Sequence, residues 1–158
     1  MCAISVDDAR RINDEFASIA REAEHLSNFL ATAQTDLPAT GSQEYWSRTR
    51  VCASAAENIY TGLERVMAKI AQAVDGEPIP HEDGWHKNLL LRLSRPHRDV
   101  RGPVISPETY ALFDKLRSFR HRVRMSYAVD LKLEIVIERC GEAIEAVAKL
   151  QEEVQKFL

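Results

Sequence analysis

The sequence predicts an all-α, up-and-down bundle of four long helices plus a short helix. Three observations carry this expectation. Apolar residues recur at steps of three and four over long stretches, and the six Gly and six Pro cluster between those stretches. No segment of useful length alternates apolar and polar residues as a half-buried strand would. At 158 residues the chain is expected to form one helical domain, 1–158. A domain of this size buries roughly 70% of the surface its unfolded chain exposes, so its core needs no disulfide or metal. The 45% apolar and 28% charged fractions exclude a disordered chain.

The first helix starts after Ser5, whose hydroxyl can cap a free backbone N–H, with Asp8 completing a capping-box pattern. Ile12, Phe16, Ile19, Ala23, Leu26 and Leu30 alternate steps of four and three, the spacing of a bundle seam. Pro38 and Gly41 mark a loop over 35–41. A second long helix begins at Ser42 and runs to about Val74, with Val51, Ala55, Ile59, Leu63, Val66 and Ile70 as its stripe. Gly76, Pro78 and Pro80 end it. A short helical piece over 84–93 carries Trp85, Leu89, Leu90 and Leu93, and Pro96, Gly102 and Pro103 then mark a basic loop.

The next start is sharply marked. Ser106 is an N-cap candidate, Pro107 suits the first turn, and Glu108 complements the helix dipole. Leu112, Leu116, Phe119 and Val123 form its stripe. After a break at 128–130, a last helix runs to the C-terminus through Leu133, Val136, Cys140, Ile144, Val147, Leu150 and Val154. The first and last helices, each near ~27 residues or roughly 40 Å, leave room for a dimer through a helical face.

Cys2, Cys52 and Cys140 are far apart and form no C-x-x-C pair, so neither a zinc site nor a disulfide framework is suggested. Cys52 and Cys140 read as small buried thiols. No apolar run approaches the roughly 18 residues of a membrane span and no signal-peptide pattern opens the chain, so the expectation is a cytoplasmic protein without a membrane partner. Net charge is −3, which argues against a general nucleic-acid binder. Yet between His86 and Arg124 ten Lys and Arg (Lys87, Arg92, Arg95, Arg98, Arg101, Lys115, Arg117, Arg120, Arg122, Arg124) face only Asp99, Glu108 and Asp114. Such a basic zone on an acidic body can form an anion site without non-specific adhesion.

The chemistry-bearing stretch is Phe119-Arg120-His121-Arg122-Val123-Arg124-Met125-Ser126-Tyr127. At 100° per residue, Arg120, Arg124 and Tyr127 fall within about 60° of one another, with His121 and Met125 on the neighbouring face. Two guanidiniums, an imidazole and a phenol thus gather at one helix end, where an anion can be gripped and a proton exchanged. Arginine suits this role because its planar fork binds phosphate bidentately and stays charged. Taken alone, such a helix end is more often a solvated face.

This segment resembles the motif of the HEPN superfamily, especially the HepT-like ribonuclease toxins: an Arg, four to six residues, a His, one residue and a Tyr. Arg120 matches the Arg, Tyr127 the Tyr, and Met125 occupies the His position. Trp85-His86-Lys87-Asn88-Leu89-Leu90, the loop through Pro103, and Ser106-Pro107-Glu108 follow in the same order as in HepT-like sequences. The resemblance covers about residues 50 to 155; the first helix matches only in type.

The resemblance implies a metal-independent endoribonuclease toxin, without a cofactor, acting on RNA as a homodimer whose two motifs line one interface cleft. Arg120 would offset charge on the phosphate, and Arg124 and Arg117 would bind RNA phosphates. The partner would be an MNT-type nucleotidyltransferase antitoxin that transfers AMP to Tyr127. Met125 departs from the pattern: a thioether neither donates nor accepts a proton, so it cannot act as general acid or base. Three accounts stand open. Residue 125 was changed from His so that a toxic protein could be produced; the protein lost activity and kept binding; or His121, one turn away, serves instead.

Other candidates carry larger discounts. His86 beside Trp85 matches a recurrent HepT-like pair but reads first as a helix-start histidine that holds packing. His25, His81 and His97 read as surface or loop residues. Arg92, Arg95, Arg98 and Arg101 read either as an extended RNA surface or as a solvated loop. Tyr45 and Trp46 read as packing rather than as stacking platforms for bases. The alternative function is a non-catalytic helical partner or substrate-binding protein of a nucleotidyltransferase.

Overall fold

The computed structural model describes residues 4–33 and 35–158, so Cys2 lies outside the described residues. Five helices follow in the expected order: α1 (Val6–Ala33), α2 (Gln43–Asp75), α3 (Trp85–Leu93), α4 (Pro107–Met125) and α5 (Leu133–Val154). Single 3-10 turns occupy Ala128–Asp130 and Gln155–Phe157. Among the described residues the β pairing is confined to one isolated bridge, between His97 and Arg101.

The starts are set by local chemistry. Ser5 Oγ accepts from Asp8 N–H at 3.0 Å and donates to the Asp8 carboxylate at 2.6 Å. Ser42 and Ser106 cap α2 and α4 by accepting from Tyr45 and Thr109 N–H, each at 3.1 Å. Gly76, at φ 73°, closes α2 in the left-handed region that glycine enters without a side-chain clash. α4 stops at Met125 because Ser126 turns extended, at φ −120° and ψ 154°.

The α1 stripe is buried at all six expected positions. α2 differs from expectation. Val51 is exposed and Ala55 half-buried, whereas Cys52, Ala53, Ala56, Tyr60, Met67, Ala71 and Val74 join the core. The reason is position: α2 packs against α1, α3, α4 and α5 and so is buried on several sides. In α4, Phe113 rather than Leu112 takes the central core place, meeting Tyr60 edge-on at 6.2 Å between ring centroids. α5 is shorter than the sequence suggested, 22 residues against 28 for α1, because the backbone tightens into the 3-10 turn after Val154.

Two contacts fix how the helices sit. Gly62 lets α1 and α2 approach closely, since a Cβ there would meet Ile19 Cγ1 at 2.6 Å. Beyond α3, Arg101 folds back onto the end of α2, its Nε 2.6 Å from Asp75 Oδ1. Cys52 and Cys140 are buried free thiols, with Cys140 Sγ donating to the Cys52 carbonyl at 3.2 Å. A side-chain hydrogen bond with Cys52 and burial together hold the Cys140 thiol well above its ordinary value.

No helix among the described residues is long and apolar enough to cross a membrane.

Candidate functional site

The basic zone divides. Arg92 and Arg101 both bind Asp75, at 2.7 Å and 2.6 Å. Arg101 also donates to the carbonyls of Arg95, Gly102 and Arg92. Arg98 pairs with Glu77 at 2.9 Å. The solvated-loop expectation holds for Arg95 and Arg98, which are exposed, but not for Arg92 and Arg101, which clamp the loop to α2. The latter two share one partner because a buried carboxylate needs cationic donors.

What remains for chemistry is the second half of α4. Its arginines face α2 in antiparallel register. Arg124 Nε lies 3.7 Å from Glu57 Oε1 on an exposed side chain. One turn earlier, Arg120 Nε donates to Thr61 Oγ1 at 3.1 Å and lies 3.6 Å from Glu64 Oε1. The Arg120 side chain is 13% exposed and that of Glu64 only 3%. Among the described residues no hydrogen bond engages the terminal amino groups of Arg120, so the fork is anchored by Nε with its outer donors unspent. Arg117 turns back on its own helix, with Nε and one amino group on Asp114 Oδ1 at 3.0 Å and 2.8 Å.

The structure keeps the two arginines on a shared face but corrects the place of Tyr127. α4 ends two residues earlier, so Tyr127 lies in extended backbone at φ −79° and ψ 149° and no longer follows the helical wheel. Its side chain is 81% exposed and that of Met125 75% exposed, and Val129 beside them is also exposed. His121 is exposed as well. Among the described residues no hydrogen bond or ion pair joins His121, Met125 or Tyr127 to either arginine.

Glu64 has a second partner. Its Oε2 takes Nδ1 of His86, at the first turn of α3. The indole of Trp85 lies against the His86 ring at 4.0 Å, and His81 lies on Trp85 at 4.4 Å. Tyr60, one turn from Glu64 on α2, is buried. Burial and the nearby Glu64 charge push its phenol well above the ordinary value, so it stays neutral.

At the Arg124 end of α4 a groove of about 920 Å3 opens between α1, the start of α2 and the end of α4. Leu26, Phe29, Trp46 and Val51 supply apolar lining, and His25, Arg50 and Arg124 bring positive or titratable groups. Tyr45 is a packing residue as expected: it accepts from Leu133 N–H at 2.9 Å and donates to Glu134 at 3.0 Å. Trp46, expected to pack, is exposed and lines the groove, and His25, a surface residue as expected, lines it too. Among the described residues no three His, Cys, Asp or Glu side chains come together to hold a metal ion.

Thr61 and Glu64 escaped the sequence reading. Their signal was present: Glu57, Thr61 and Glu64 recur at steps of four and three, so three polar groups share one face of a mostly buried helix. A carboxylate there demands a cation from a neighbour.

A helical bundle with this arginine-to-tyrosine segment at the end of its fourth helix is of the HEPN class. Residues 51–158 match the family described as HepT-like protein, and the chain belongs to that family. The matched segment begins inside α2, leaving α1 and the first turns of α2 outside it. No curated protein and no solved structure matches the chain.

Proposed function

We propose that this HepT-like chain is the toxin component of a HEPN/MNT-type toxin–antitoxin pair. It has the site of a metal-independent endoribonuclease, attenuated by Met125. The observation that carries the reading is the anchoring of Arg120. A guanidinium fixed through Nε by Thr61 and Glu64, with its outer amino groups unspent, suits a phosphate whose charge grows during reaction.

In that reading the RNA 2′-OH loses a proton to a base and attacks the adjacent phosphorus. The P–O5′ bond breaks, and the leaving oxygen takes a proton from an acid. Arg120 offsets charge on the phosphate, with Arg124 and Arg117 as further cations along the strand. The exposed Met125, Tyr127 and Val129 support a homodimer in which two such helix ends share a cleft. Tyr127, extended and open to solvent, is a fitting acceptor for AMP from a nucleotidyltransferase antitoxin.

Met125→His is the test of this reading. Restoring the imidazole is expected to raise cleavage of single-stranded RNA by about 10²–10⁴-fold, the usual worth of general acid–base catalysis. Arg120→Ala in that background is expected to remove most of the gain with the fold retained by circular dichroism. Uncut RNA with purified Met125→His protein overturns the enzyme reading. That outcome favours the second one, a non-catalytic partner of a nucleotidyltransferase, which the solvent-facing thioether of Met125 already supports.

A further inference from the structure

We infer that His86, oriented by Glu64, is the proton-transferring imidazole of the chain as it stands, acting beside Arg120. The inference rests on the ribonuclease reading above and departs from it in placing the acid–base group on α3 rather than at residue 125 of α4.

The candidates for that task are not equal. His121 is exposed, and among the described residues nothing hydrogen-bonds to its ring. His86 is held on two sides. Glu64, almost fully buried, binds Nδ1, and the Trp85 ring covers one face at 4.0 Å. A carboxylate on Nδ1 keeps the proton on that nitrogen and leaves the Nε2 lone pair as the base. No hydrogen bond from the described residues engages Nε2, and the His86 side chain is 30% exposed, so this edge can meet a substrate.

The same carboxylate ties the imidazole to the phosphate-binding arginine. Glu64 gives Oε2 to His86 and turns Oε1 toward Arg120 Nε at 3.6 Å, while Thr61 takes the Nε hydrogen bond. Base, orienting carboxylate and anion-binding fork therefore come from three helices and meet at one buried acid. This is the base-and-orienter arrangement expected of general acid–base catalysis.

The step balances with one imidazole. His86 Nε2 takes the proton of a ribose 2′-OH, and the 2′-oxygen bonds to the adjacent phosphorus. The P–O5′ bond breaks, and the 5′-oxygen takes that proton back from the imidazolium. The products are a 2′,3′-cyclic phosphate and a 5′-hydroxyl, with His86 returned to its starting state. Glu64 steadies the imidazolium through Nδ1, while Arg120 holds the phosphate oxygens.

The test uses the purified full chain with Met125 in place and a fluorescent single-stranded oligoribonucleotide. Slow cleavage is expected, blocked when the ribose at the cut site is 2′-deoxy. His86→Asn retains an N–H donor for Glu64 but has no counterpart to Nε2. It is expected to lower the rate at least about 10²-fold, with partial recovery on adding free imidazole. A purely packing role for His86 predicts neither the loss in a folded Asn variant nor the recovery.

Cleavage by the Met125→His protein but none by the Met125 chain overturns this inference and leaves the ribonuclease reading standing. No cleavage by either overturns both. An unchanged rate in His86→Asn, or a loss seen only in His121→Asn, also overturns it. Should His86→Asn fail to fold, His86→Gln is measured in its place. Failure of both to fold assigns His86 to the fold and overturns the inference.

Discussion

Arg101 grips Asp75 through two hydrogen bonds, Nε to Oδ1 at 2.6 Å and an amino group to Oδ2 at 2.8 Å, on a side chain only 2% exposed. With Arg92 on Oδ2 at 2.7 Å, the last residue of α2 holds the loop between α3 and α4. This clamp ties the approach to α4 onto the end of α2.

The clamp yields a stability prediction with a defined sign. Burial disfavours the Asp75 charge, but hydrogen bonds from Arg101 and Arg92 outweigh it and hold its carboxyl below the usual range. A folded-state value depressed below the unfolded one gives stability that is present above the unfolded carboxylate range. That stability is lost as pH falls through the folded value. Asp75→Asn is expected to cost about 3–5 kcal/mol near neutral pH, because it strands two cations in a dry site. Chemical denaturation from pH 7 down to pH ~2 checks this: the variant's stability should fall less steeply than the parent's below pH ~4.

Gly62→Ala separates propensity from packing. Alanine gains about 1 kcal/mol over glycine within a helix. Here, however, the new Cβ meets Ile19 Cγ1 at 2.6 Å and Cδ1 at 3.0 Å. Forcing the two helices apart costs about 1–3 kcal/mol, so net destabilisation of up to about 2 kcal/mol is expected, at most roughly 8 °C in Tm. Double substitution with Ile19→Val should recover part of it. A Tm above the parent's would show that the α1–α2 contact tolerates a methyl group.

Thr61 is expected to matter for activity more than for stability. Thr61→Val keeps the shape but removes the oxygen that accepts from Arg120 Nε. A lost hydrogen bond to a charged group is worth about 1.5–3 kcal/mol. In a Met125→His background, kcat/KM for RNA should therefore fall about 10–100-fold with the fold retained. An unaltered rate would mean that Glu64 alone holds the guanidinium.

For Tyr127 the readout is mass. Incubation with the cognate nucleotidyltransferase and ATP should add one AMP, located on Tyr127 by peptide sequencing and absent from Tyr127→Phe. The side chain is exposed and outside the helix, so its replacement should leave the melting curve unchanged. Label on another residue would reassign the acceptor.

Much of this architecture was legible in the chain. Serines 5, 42 and 106 and Gly76 set helix ends because caps are local, needing only a side chain and the next turn of backbone. The α1 stripe was equally plain, since that helix buries one face. Where an element buries several faces, periodicity fails: α2 hides Cys52, Met67 and Val74 and exposes Val51 because partners surround it. The motif gave Arg120 and Arg124 their common face, but the wheel carried Tyr127 along a helix that had already ended. Thr61, Glu64 and His86 lie 22 to 59 residues from the groups they bind. Their pairing is a product of α2, α3 and α4 lying together, which no local spacing encodes.

The groove beside Arg124 has one further consequence. Its α1 wall, with Glu22, His25, Leu26 and Phe29, belongs to the part of the chain that the family match leaves out. The groove wall from that helix can therefore be altered while the anchored guanidinium, its threonine and its buried acid stay untouched. The α1 wall of the groove and the anchored Arg120 are written in separable stretches of the polypeptide.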